Sequence, residues 1–299
     1  MEKKPIALAC RLDSERAVKL TRRIFEFLVQ KGEVVYLETR LAPKILPHNG
    51  MDLGEMTSES IKFIIIVGGD GSILRVAGGL SQEDPPPILG VNVGSIGFLD
   101  ESSGGMIFKD LSKILKGEYS MEICSKITPY IVKNSGEIKL SNALNEVLIV
   151  SSKSSKVLQI SIRIDGVFLN RSYLDGIIIS TPTGSTAYNL SAGGAIINPS
   201  MESIQITPLN SFAGSGLKPI IVPFNSEIEI RLLRPRLDAK IVIDGQQIIK
   251  GIAPYTKIRI RKANSQVKFI RFEGSYYTRL RKKIIGTIRR VPIDDSPEM

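Results

Sequence analysis

The sequence is poor in the residues on which several kinds of site depend. Its 299 residues include two cysteines, one histidine and no tryptophan. Cys10 and Cys124 are too few for a disulfide framework, and with His48 alone they are too few for a Cys/His zinc site. His48 lies between proline and glycine, where a solvated loop is expected. We therefore expect any proton transfer to depend on carboxylates.

Long apolar runs are also missing. No run approaches the roughly 20 residues that span a bilayer, and residues 1–5 lead into only a strand's worth of apolar residues rather than a signal peptide. The hydrophobic content of 42% and charged content of 23% are typical of a globular protein, and the length allows about two domains. We expect a cytoplasmic protein with no membrane partner.

The net charge of +10 is concentrated near the end of the chain. Residues 257–290 hold twelve lysines and arginines against a single acid, Glu273. Such a stretch can bind polyanions, but no aromatic-rich RNA signature or helix-turn-helix pattern accompanies it. Solvated strand and helix faces explain the charge better, so we expect no nucleic-acid partner.

The segment from Ile61 to Arg75 combines a strand, a glycine turn and a helix. Phe63–Val67 is an apolar run typical of a strand covered on both sides, and Gly68-Gly69-Asp70-Gly71 follows it directly. Ser72 is then expected to cap a helix. Such a turn brings backbone N–H groups close to an anion, with Asp70 in its middle. The alternative is an ordinary turn with a surface aspartate.

Two domains are predicted from the periodicity. In residues 1–100, short strands alternate with helices, the first of them capped by Ser14, which predicts a doubly wound α/β domain. In residues 101–275, period-two alternation and the turns Asp165-Gly166 and Asp244-Gly245 predict a β-rich, mostly antiparallel domain. Residues 276–299 are expected to form a basic helix followed by a frayed tail.

A second glycine-containing turn lies between Asp175 and Gly194. A strand over Ile177–Ile179 leads into a hydroxyl-rich turn, and a helix is expected to start near Ser185 or Thr186. Hydroxyls and N–H groups of such a turn suit a ribose or a phosphate. A Ser/Thr-rich connecting loop is the alternative.

Together these segments resemble known kinases. Gly68–Ser72 is similar to the Gly-Gly-Asp-Gly-Thr/Ser loop shared by NAD kinases, 6-phosphofructokinases and diacylglycerol-type lipid kinases. Asp175–Tyr188 resembles a signature of NAD kinases that the other two groups lack. Further stretches that resemble NAD kinase motifs are Asn92–Leu99, Ala143–Leu148, Gly193–Pro199, Ile206–Pro208 and Asp244–Gln246.

The resemblance implies phosphoryl transfer to the 2′-hydroxyl of the adenosine ribose of NAD, with Asp70 as general base. The site would lie in the cleft between the domains. It implies that the donor phosphates face Gly68, Gly69, Gly71, Ser72 and Arg75. It implies that NAD is held by Asp70, Gly71, Phe98, Asn145, Glu146, Lys156, Asp175, Thr186, Ala187, Tyr188, Ser191, Asn210 and Gln246.

The resemblance also implies a divalent cation, with Mg²⁺ as the expected ion, and ATP, another nucleoside triphosphate or polyphosphate as donor. It implies a homodimer or homotetramer in which the final helix packs back on the first domain. The family's commoner threonine is Ser72 here, and Leu209–Lys218 replaces a segment that often contains histidine. As a polar, glycine-rich loop, Leu209–Lys218 could also act as a mobile lid. Two alternatives stay open: a kinase of a lipid or sugar, and a non-catalytic nucleotide or polyanion binder.

Overall fold

A computed structural model describes residues 3–46, 49–94, 97–153, 156–212, 216–234, 237–272 and 276–281. His48, the middle of the predicted lid at 213–215 and residues 282–299 of the predicted C-terminal segment lie outside these ranges. Among the described residues, no helix is long and apolar enough to cross a membrane.

The N-terminal part is built on parallel strands. Its strands are β1 (Ile6–Cys10), β2 (Val35–Glu38), β3 (Gly50–Met51), β4 (Phe63–Val67), β5 (Ile88–Asn92) and the short β6 (Ser102–Ser103). Its helices are α1 (Glu15–Gln30), α2 (Ala42–Ile45), α3 (Asp70–Gly79) and α4 (Ile107–Leu115), with a 3-10 turn at Leu53–Glu55. The strands lie in the order β3-β2-β1-β4-β5, and every neighbouring pair is parallel.

Both faces of this sheet are covered. Ile6, Leu8 and Cys10 of β1 pack with α1 and α4, whereas Ala7 and Ala9 between them pack with α3. The alternation follows from the period of two along a strand, and burial on both faces explains why β1 and β4 read as continuous apolar runs. The predicted doubly wound α/β architecture is confirmed.

The C-terminal part is a sandwich of two sheets. Its strands are β7 (Ser120–Lys133), β8 (Gly136–Lys139), β9 (Glu146–Ser151), β10 (Leu158–Ile164), β11 (Val167–Leu174), β12 (Gly176–Ser180), β13 (Ser203–Leu209), β14 (Ile220–Pro223), β15 (Ile228–Leu232), β16 (Ala239–Ile243), β17 (Gln247–Ile252) and β18 (Lys257–Arg271). One sheet has the order β14-β13-β12-β9-β16-β17, all antiparallel. It packs against β10, β15 and β18 through one apolar core. The predicted β-rich domain is confirmed.

Both predicted Asp-Gly turns occur. Asp165 and Gly166 join β10 to β11 with φ values of 50° and 79°, and Asp244 and Gly245 join β16 to β17 with 50° and 65°. Positive φ at both residues suits the right-handed twist of a hairpin, which is why Asp-Gly predicts it.

β18 links the two parts. This 15-residue strand pairs with β15 at its start, with β7 along most of its length, and with β5 at Phe269, in parallel with Ile88. The N-terminal sheet therefore continues into the C-terminal layer as one sheet of twelve described strands. The domain boundaries expected at residues 100 and 275 stay predictions.

Two short helical segments complete the described fold. A 3-10 turn at Thr183–Thr186 is followed by α5 (Tyr188–Ser191), so the helix expected near Ser185 or Thr186 begins slightly later. The last described helix, α6 (Tyr276–Leu280), contacts Ile197 through the hydroxyl of Tyr276 at 3.4 Å.

Candidate active site

The glycine loop lies at the carboxyl end of β4, as expected for a ligand site in an open α/β sheet. The helix begins at Asp70, with extended Gly69 as its N-cap and no side-chain cap, so the prediction that Ser72 caps it is wrong. The Gly69 carbonyl accepts from Ser72 N at 2.9 Å, which places Ser72 within the first turn. A Cβ at Gly68 would lie 2.5 Å from Ser72 Oγ, so this position requires glycine.

The Asp70 carboxylate is held by the loop that follows β5. Its Oδ2 accepts from Phe98 N at 2.7 Å, and its Oδ1 accepts from Leu99 N at 3.0 Å. An ionised carboxylate has about four acceptor positions, so about two stay available for a substrate hydroxyl. Gly97 makes this approach possible, because a Cβ there would lie 2.0 Å from Asp70 Oδ1.

A second carboxylate shapes the same loop. Asp100 Oδ2 accepts from Asn92 Nδ2 at 2.7 Å and from Gly97 N at 2.6 Å, and Asn92 Oδ1 accepts from Gly94 N at 2.6 Å. These bonds explain why Asn92 and Asp100 stand at the two ends of the loop. They hold the two ends together, and in this form the Phe98 and Leu99 amides point to Asp70.

A cleft of about 470 Å³ opens beside the glycine loop. It brings together four predicted donor-binding residues, of which Gly71 is also predicted to bind NAD, with a second predicted NAD-binding residue, Gln246, and adds three residues of the β1 loop. Its lining is Cys10, Arg11, Leu12, Asp13, Arg40, Gly69, Gly71, Ser72, Arg75 and Gln246. Gln246 belongs to the turn between β16 and β17, so both parts of the chain contribute.

Three guanidinium groups give this cleft its basic character. Arg75 donates to the buried Glu38 carboxylate at 2.6 and 2.9 Å, and Arg11 forms a two-bond pair with Asp13 at 2.8 and 2.9 Å. The hydrogen bonds between Arg11 and Asp13 lower the pKa of the Asp13 carboxyl and raise the pKa of the Arg11 guanidinium. Arg40 lies 3.9 Å from Glu38. Such a cleft suits a polyphosphate group.

The sequence interpretation missed Arg11 and Arg40. The available signal was their position, since Arg11 directly follows β1 and Arg40 lies two residues after β2. The carboxyl ends of parallel strands meet at one edge of a sheet, where β4 also places its glycine loop.

In the C-terminal part, Asp244 organises the segment that contains Asn145 and Glu146. Its carboxylate accepts from the amides of Leu144, Asn145 and Glu146 at 2.8, 2.7 and 3.1 Å. This contact follows from the pairing of β16 with β9. The sequence had indicated a hairpin at Asp244 and a resemblance of Asp244–Gln246 to an NAD kinase motif, but no role for the Asp244 side chain, so this role was missed.

Three buried polar atoms near this segment have no hydrogen-bond partner within the part of the chain that is described: Lys126 Nζ, Asn145 Oδ1 and Glu146 Oε2. Burial raises the pKa of Glu146 to about 8, and the charge of Asp244 adds to the effect. Burial lowers the pKa of Lys126 to about 8, against the attraction of Asp244. Unpaired buried polar groups are costly, and a perturbed cluster of them is typical of a functional site.

The hydroxyl-rich turn packs on the same segment. Thr181 N donates to Asn145 O at 2.9 Å, and a Cβ at Gly184 would lie 2.1 Å from that oxygen. Further along the turn, Thr186 and Phe98 line one small gap of about 20 Å³. The turn of the C-terminal part therefore meets the loop that holds Asp70. Ala187 precedes α5, in which Tyr188 and Ser191 are exposed.

The remaining predicted NAD-binding residues lie elsewhere. Asn210 Nδ2 donates to Asp175 Oδ2 at 2.9 Å, at the start of β12. Ser180, at its end, pairs with Glu146, whereas Gly176 pairs with Val150. At about 3.3 Å per residue, Asp175 is roughly 17 Å from the end of β12 that carries the turn. Lys156 is exposed in the loop after β9, on the Asp175 side.

The described residues contain no group of three or more His, Cys, Asp or Glu side chains arranged for a metal ion. Mg²⁺ in phosphoryl transfer needs only one or two carboxylates besides the substrate phosphates. Asp13 lines the cleft, and Asp70 lies between Gly69 and Gly71, which also line it. This donor set fits a phosphate-bound Mg²⁺.

Both parts of the chain match models of one protein family. Residues 6–119 match the ATP-NAD kinase N-terminal domain, and residues 144–272 match the ATP-NAD kinase C-terminal domain. An NAD kinase of Thermococcus gammatolerans is 35% identical over 272 residues, which cover 91% of this chain and 95% of that protein. The chain belongs to the NAD kinase family.

Solved structures agree with this membership. An NAD kinase from Archaeoglobus fulgidus in complex with ATP has a TM-score of 0.70 and 28% identity, covering 95% of this chain and 98% of that one. A yeast NADH kinase complexed with NADH has a TM-score of 0.80 at 21% identity, and the match covers 100% of this chain and 91% of that one. This likeness shows that the two chains share a fold. As an NAD kinase family member the protein is a phosphotransferase, and neither a lipid or sugar kinase nor a non-catalytic binder is favoured.

Proposed function

We propose that the protein transfers the terminal phosphoryl group of ATP to the 2′-hydroxyl of the adenosine ribose of NAD and releases NADP. The observation that carries the proposal is the placement of Asp70. Two amides of the Asn92–Asp100 loop orient its carboxylate beside a cleft with three arginines, in a chain whose two halves match the two NAD kinase domains.

Asp70 acts as the general base. Its carboxylate accepts the proton of the ribose hydroxyl while the hydroxyl oxygen attacks the γ-phosphorus atom of ATP. The bond from that phosphorus to the bridging oxygen breaks, and ADP leaves. A positioned base of this kind is worth about 10²–10⁴-fold in rate. Most of the remaining acceleration comes from placing the two substrates and stabilising charge on the transferred group.

The cleft holds the donor. The amides of Gly69–Gly71 and the Ser72 hydroxyl face phosphate oxygens, while Arg11 and Arg40 supply positive charge. The Archaeoglobus fulgidus relative in complex with ATP supports ATP as donor. Asp13, if released from Arg11, and Asp70 would hold a donor-bound Mg²⁺, whose charge would neutralise part of that of the phosphates. Another nucleoside triphosphate or polyphosphate is the competing donor that the experiment below compares.

NAD binds where the two parts of the chain meet. Asn145 Oδ1 and Glu146 Oε2 are buried polar atoms without a protein partner in the described ranges, and hydroxyl and amide groups of the dinucleotide would satisfy them. Phe98 and Thr186 line one gap between the Asp70-binding loop and the hydroxyl-rich turn, and the same turn bonds to Asn145 through Thr181. Ala187, Tyr188, Ser191 and Gln246 complete the proposed NAD contacts.

We propose that the protein works as a homodimer or homotetramer. Asp175 and Asn210 are too far along β12 to join Glu146 around one small group, so a second copy would supply them, with Lys156, to its neighbour's site. The edge strand β11 exposes Val167, Phe168, Leu169 and Tyr173, an apolar edge of the kind that associates. A cytoplasmic location stays a prediction from the sequence.

The test measures NADP formation from NAD and Mg²⁺ with ATP or polyphosphate, in wild type and Asp70→Asn. We expect kcat to fall by about 10²–10⁴-fold in the variant, while equilibrium binding of NAD is retained. Full activity of the variant would refute Asp70 as base. No NADP from folded wild type with either donor would refute the proposed function.

A further inference from the structure

Arg271 lies behind the loop that orients Asp70. It is the last residue of β18, and its side chain is 5% exposed. Its Nη1 donates to the carbonyl oxygen of Leu99 at 3.0 Å and lies 3.5 Å from that of Asp100. Because Leu99 N donates to Asp70 Oδ1, one peptide segment is bonded to Asp70 on one side and to Arg271 on the other.

Two carboxylates and a second guanidinium fix the orientation of Arg271. Its Nε donates to Glu122 Oε2 at 2.6 Å, and its Nη1 lies 3.3 Å from Glu101 Oε2. Arg279 of α6 donates to the other oxygen of Glu122 at 2.5 Å. Burial raises the pKa of Glu122, but the two guanidinium charges outweigh burial and hold that pKa below its usual value. The cluster is therefore charged, balanced and rigid.

Stability alone is a weak explanation for this cluster. Buried ion pairs lose much of their attraction to desolvation, and an apolar replacement of the whole group is often as stable. What an apolar replacement could not supply is a donor for the Leu99 carbonyl. Glu101 Oε1 also accepts from Phe272 N at 3.0 Å, so the end of β18 and the Asp70-binding loop are joined at two points.

We propose that Arg271 is a positioning residue for the phosphoryl transfer: through the Leu99 peptide it fixes the Asp70 carboxylate at the reacting hydroxyl. The proposal rests on the proposed function. It assigns to the end of the strand that links the two parts of the molecule a role in aligning the base. The gap of about 20 Å³ that Arg271 lines with Phe98 and Thr186 is too small to admit either substrate.

The variant Arg271→Lys tests this role. Besides Nε, Nη2 of Arg271 also lies 2.6 Å from Glu122 Oε2. A single ammonium group cannot keep both these contacts and the bond to the Leu99 carbonyl, so the loop shifts. Misplacement of a catalytic group by about 1 Å costs on the order of 10²-fold, and we expect kcat to fall by about 10–100-fold. The KM values for NAD and ATP should change by less than about threefold, because no substrate contact is lost.

The matched control is Arg259→Lys. Arg259 lies on the same strand and also pairs with glutamates, Glu229 and Glu137 at 2.9 Å and Glu227 at 3.5 Å, and within the described ranges none of these pairs involves the Asp70-binding loop. The control should keep kcat within about threefold of wild type. If β18 were sensitive to the loss of any arginine, the kcat of Arg259→Lys would fall as much as the kcat of Arg271→Lys.

A double-mutant cycle with Asp70→Asn separates positioning from a structural role. If Arg271 acts through Asp70, Arg271→Lys should lower kcat little further once the carboxylate is gone. Should Arg271→Lys not fold, Glu122→Gln, which removes the charge that orients Arg271, is judged by the same cycle.

The proposal is overturned if Arg271→Lys keeps kcat as the control does, or if its loss of kcat is equally large on the Asp70→Asn background. Wild type that makes no NADP would refute the proposed function and this role with it. If wild type makes NADP and Arg271→Lys has the same kcat, only the positioning role of Arg271 is refuted.

Discussion

Gly97→Ala is the sharpest test of how Asp70 is held. An ideal Cβ on residue 97 would lie 2.0 Å from Asp70 Oδ1, 2.4 Å from Cγ and 2.7 Å from Oδ2. Ordinary contact begins at 3.4 Å, so the carboxylate or the loop must move by about 1.4 Å. The bond from Phe98 N, now 2.7 Å, cannot survive such a shift with its present geometry.

A displacement of this size should appear in catalysis. Misplacing a reacting group by about 1 Å costs on the order of 100-fold in rate, equivalent to about 2.7 kcal/mol in the barrier. We expect kcat for NADP formation to fall by about this factor, with a much smaller change in the KM for ATP. Initial rates with ATP and Mg²⁺ measure both quantities, and circular dichroism checks that the variant is folded.

The same loop offers a control. Gly94→Ala adds a methyl group with nothing within 4 Å, and the backbone bond from residue 94 to Asn92 Oδ1 is retained. This variant should behave as wild type. The reasoning fails if folded Gly97→Ala keeps kcat within about threefold of wild type, or if Gly94→Ala loses as much.

Three further outcomes follow from buried groups. In Gly184→Ala the Cβ would lie 2.1 Å from the Asn145 carbonyl oxygen, a backbone atom that cannot rotate away. Urea denaturation should therefore show a free energy of unfolding lower by about 2–4 kcal/mol than that of wild type. An unchanged free energy of unfolding would contradict this packing. Glu146, with its pKa raised to about 8, keeps its proton when folded but releases it near pH 4.5 when unfolded, so its contribution to stability falls as pH rises between these values. Glu146→Gln has no group that titrates in this way. The unfolding free energy of wild type minus that of the variant should therefore fall by up to about 4 kcal/mol from pH 5 to 8. A difference that does not change with pH would refute the raised pKa of Glu146. Arg75→Gln leaves the buried Glu38 without its two closest bonds and should cost about 3–5 kcal/mol of unfolding free energy, whereas a purely donor-binding Arg75 would raise the KM for ATP at unchanged stability.

The features that the sequence predicted correctly are those with local causes. Ser14 accepts from Ala17 N at 3.3 Å and begins α1, as its place before an amphipathic run indicated. The strand Phe63–Val67 has the predicted bounds because five consecutive apolar residues end at glycines. Asp165-Gly166 and Asp244-Gly245 form turns because two adjacent residues must take positive φ. Each of these features depends only on residues within about ten positions of it in the sequence.

The features that the sequence did not predict depend on distant partners. The N-cap is Gly69 rather than Ser72, and the Asp70 carboxylate bonds to amides 28 and 29 residues away. Arg75, expected to face donor phosphates, is held by Glu38, 37 residues earlier. Composition and periodicity carry no signal for such pairs, since they arise only when the strands are placed side by side.

The candidate site is therefore a product of the whole sheet. Asp70 is supplied by β4, its orienting amides follow β5, and the carbonyl behind them is held from the end of β18, which reaches β5 only after crossing the C-terminal layer. On the other side, Asp244 fixes the segment of Asn145 and Glu146 through the pairing of β16 with β9. A carboxylate that must meet a ribose hydroxyl within a fraction of an ångström requires this rigidity. The short motifs identify the chemistry, and the long-range pairings provide the geometry in which it can work.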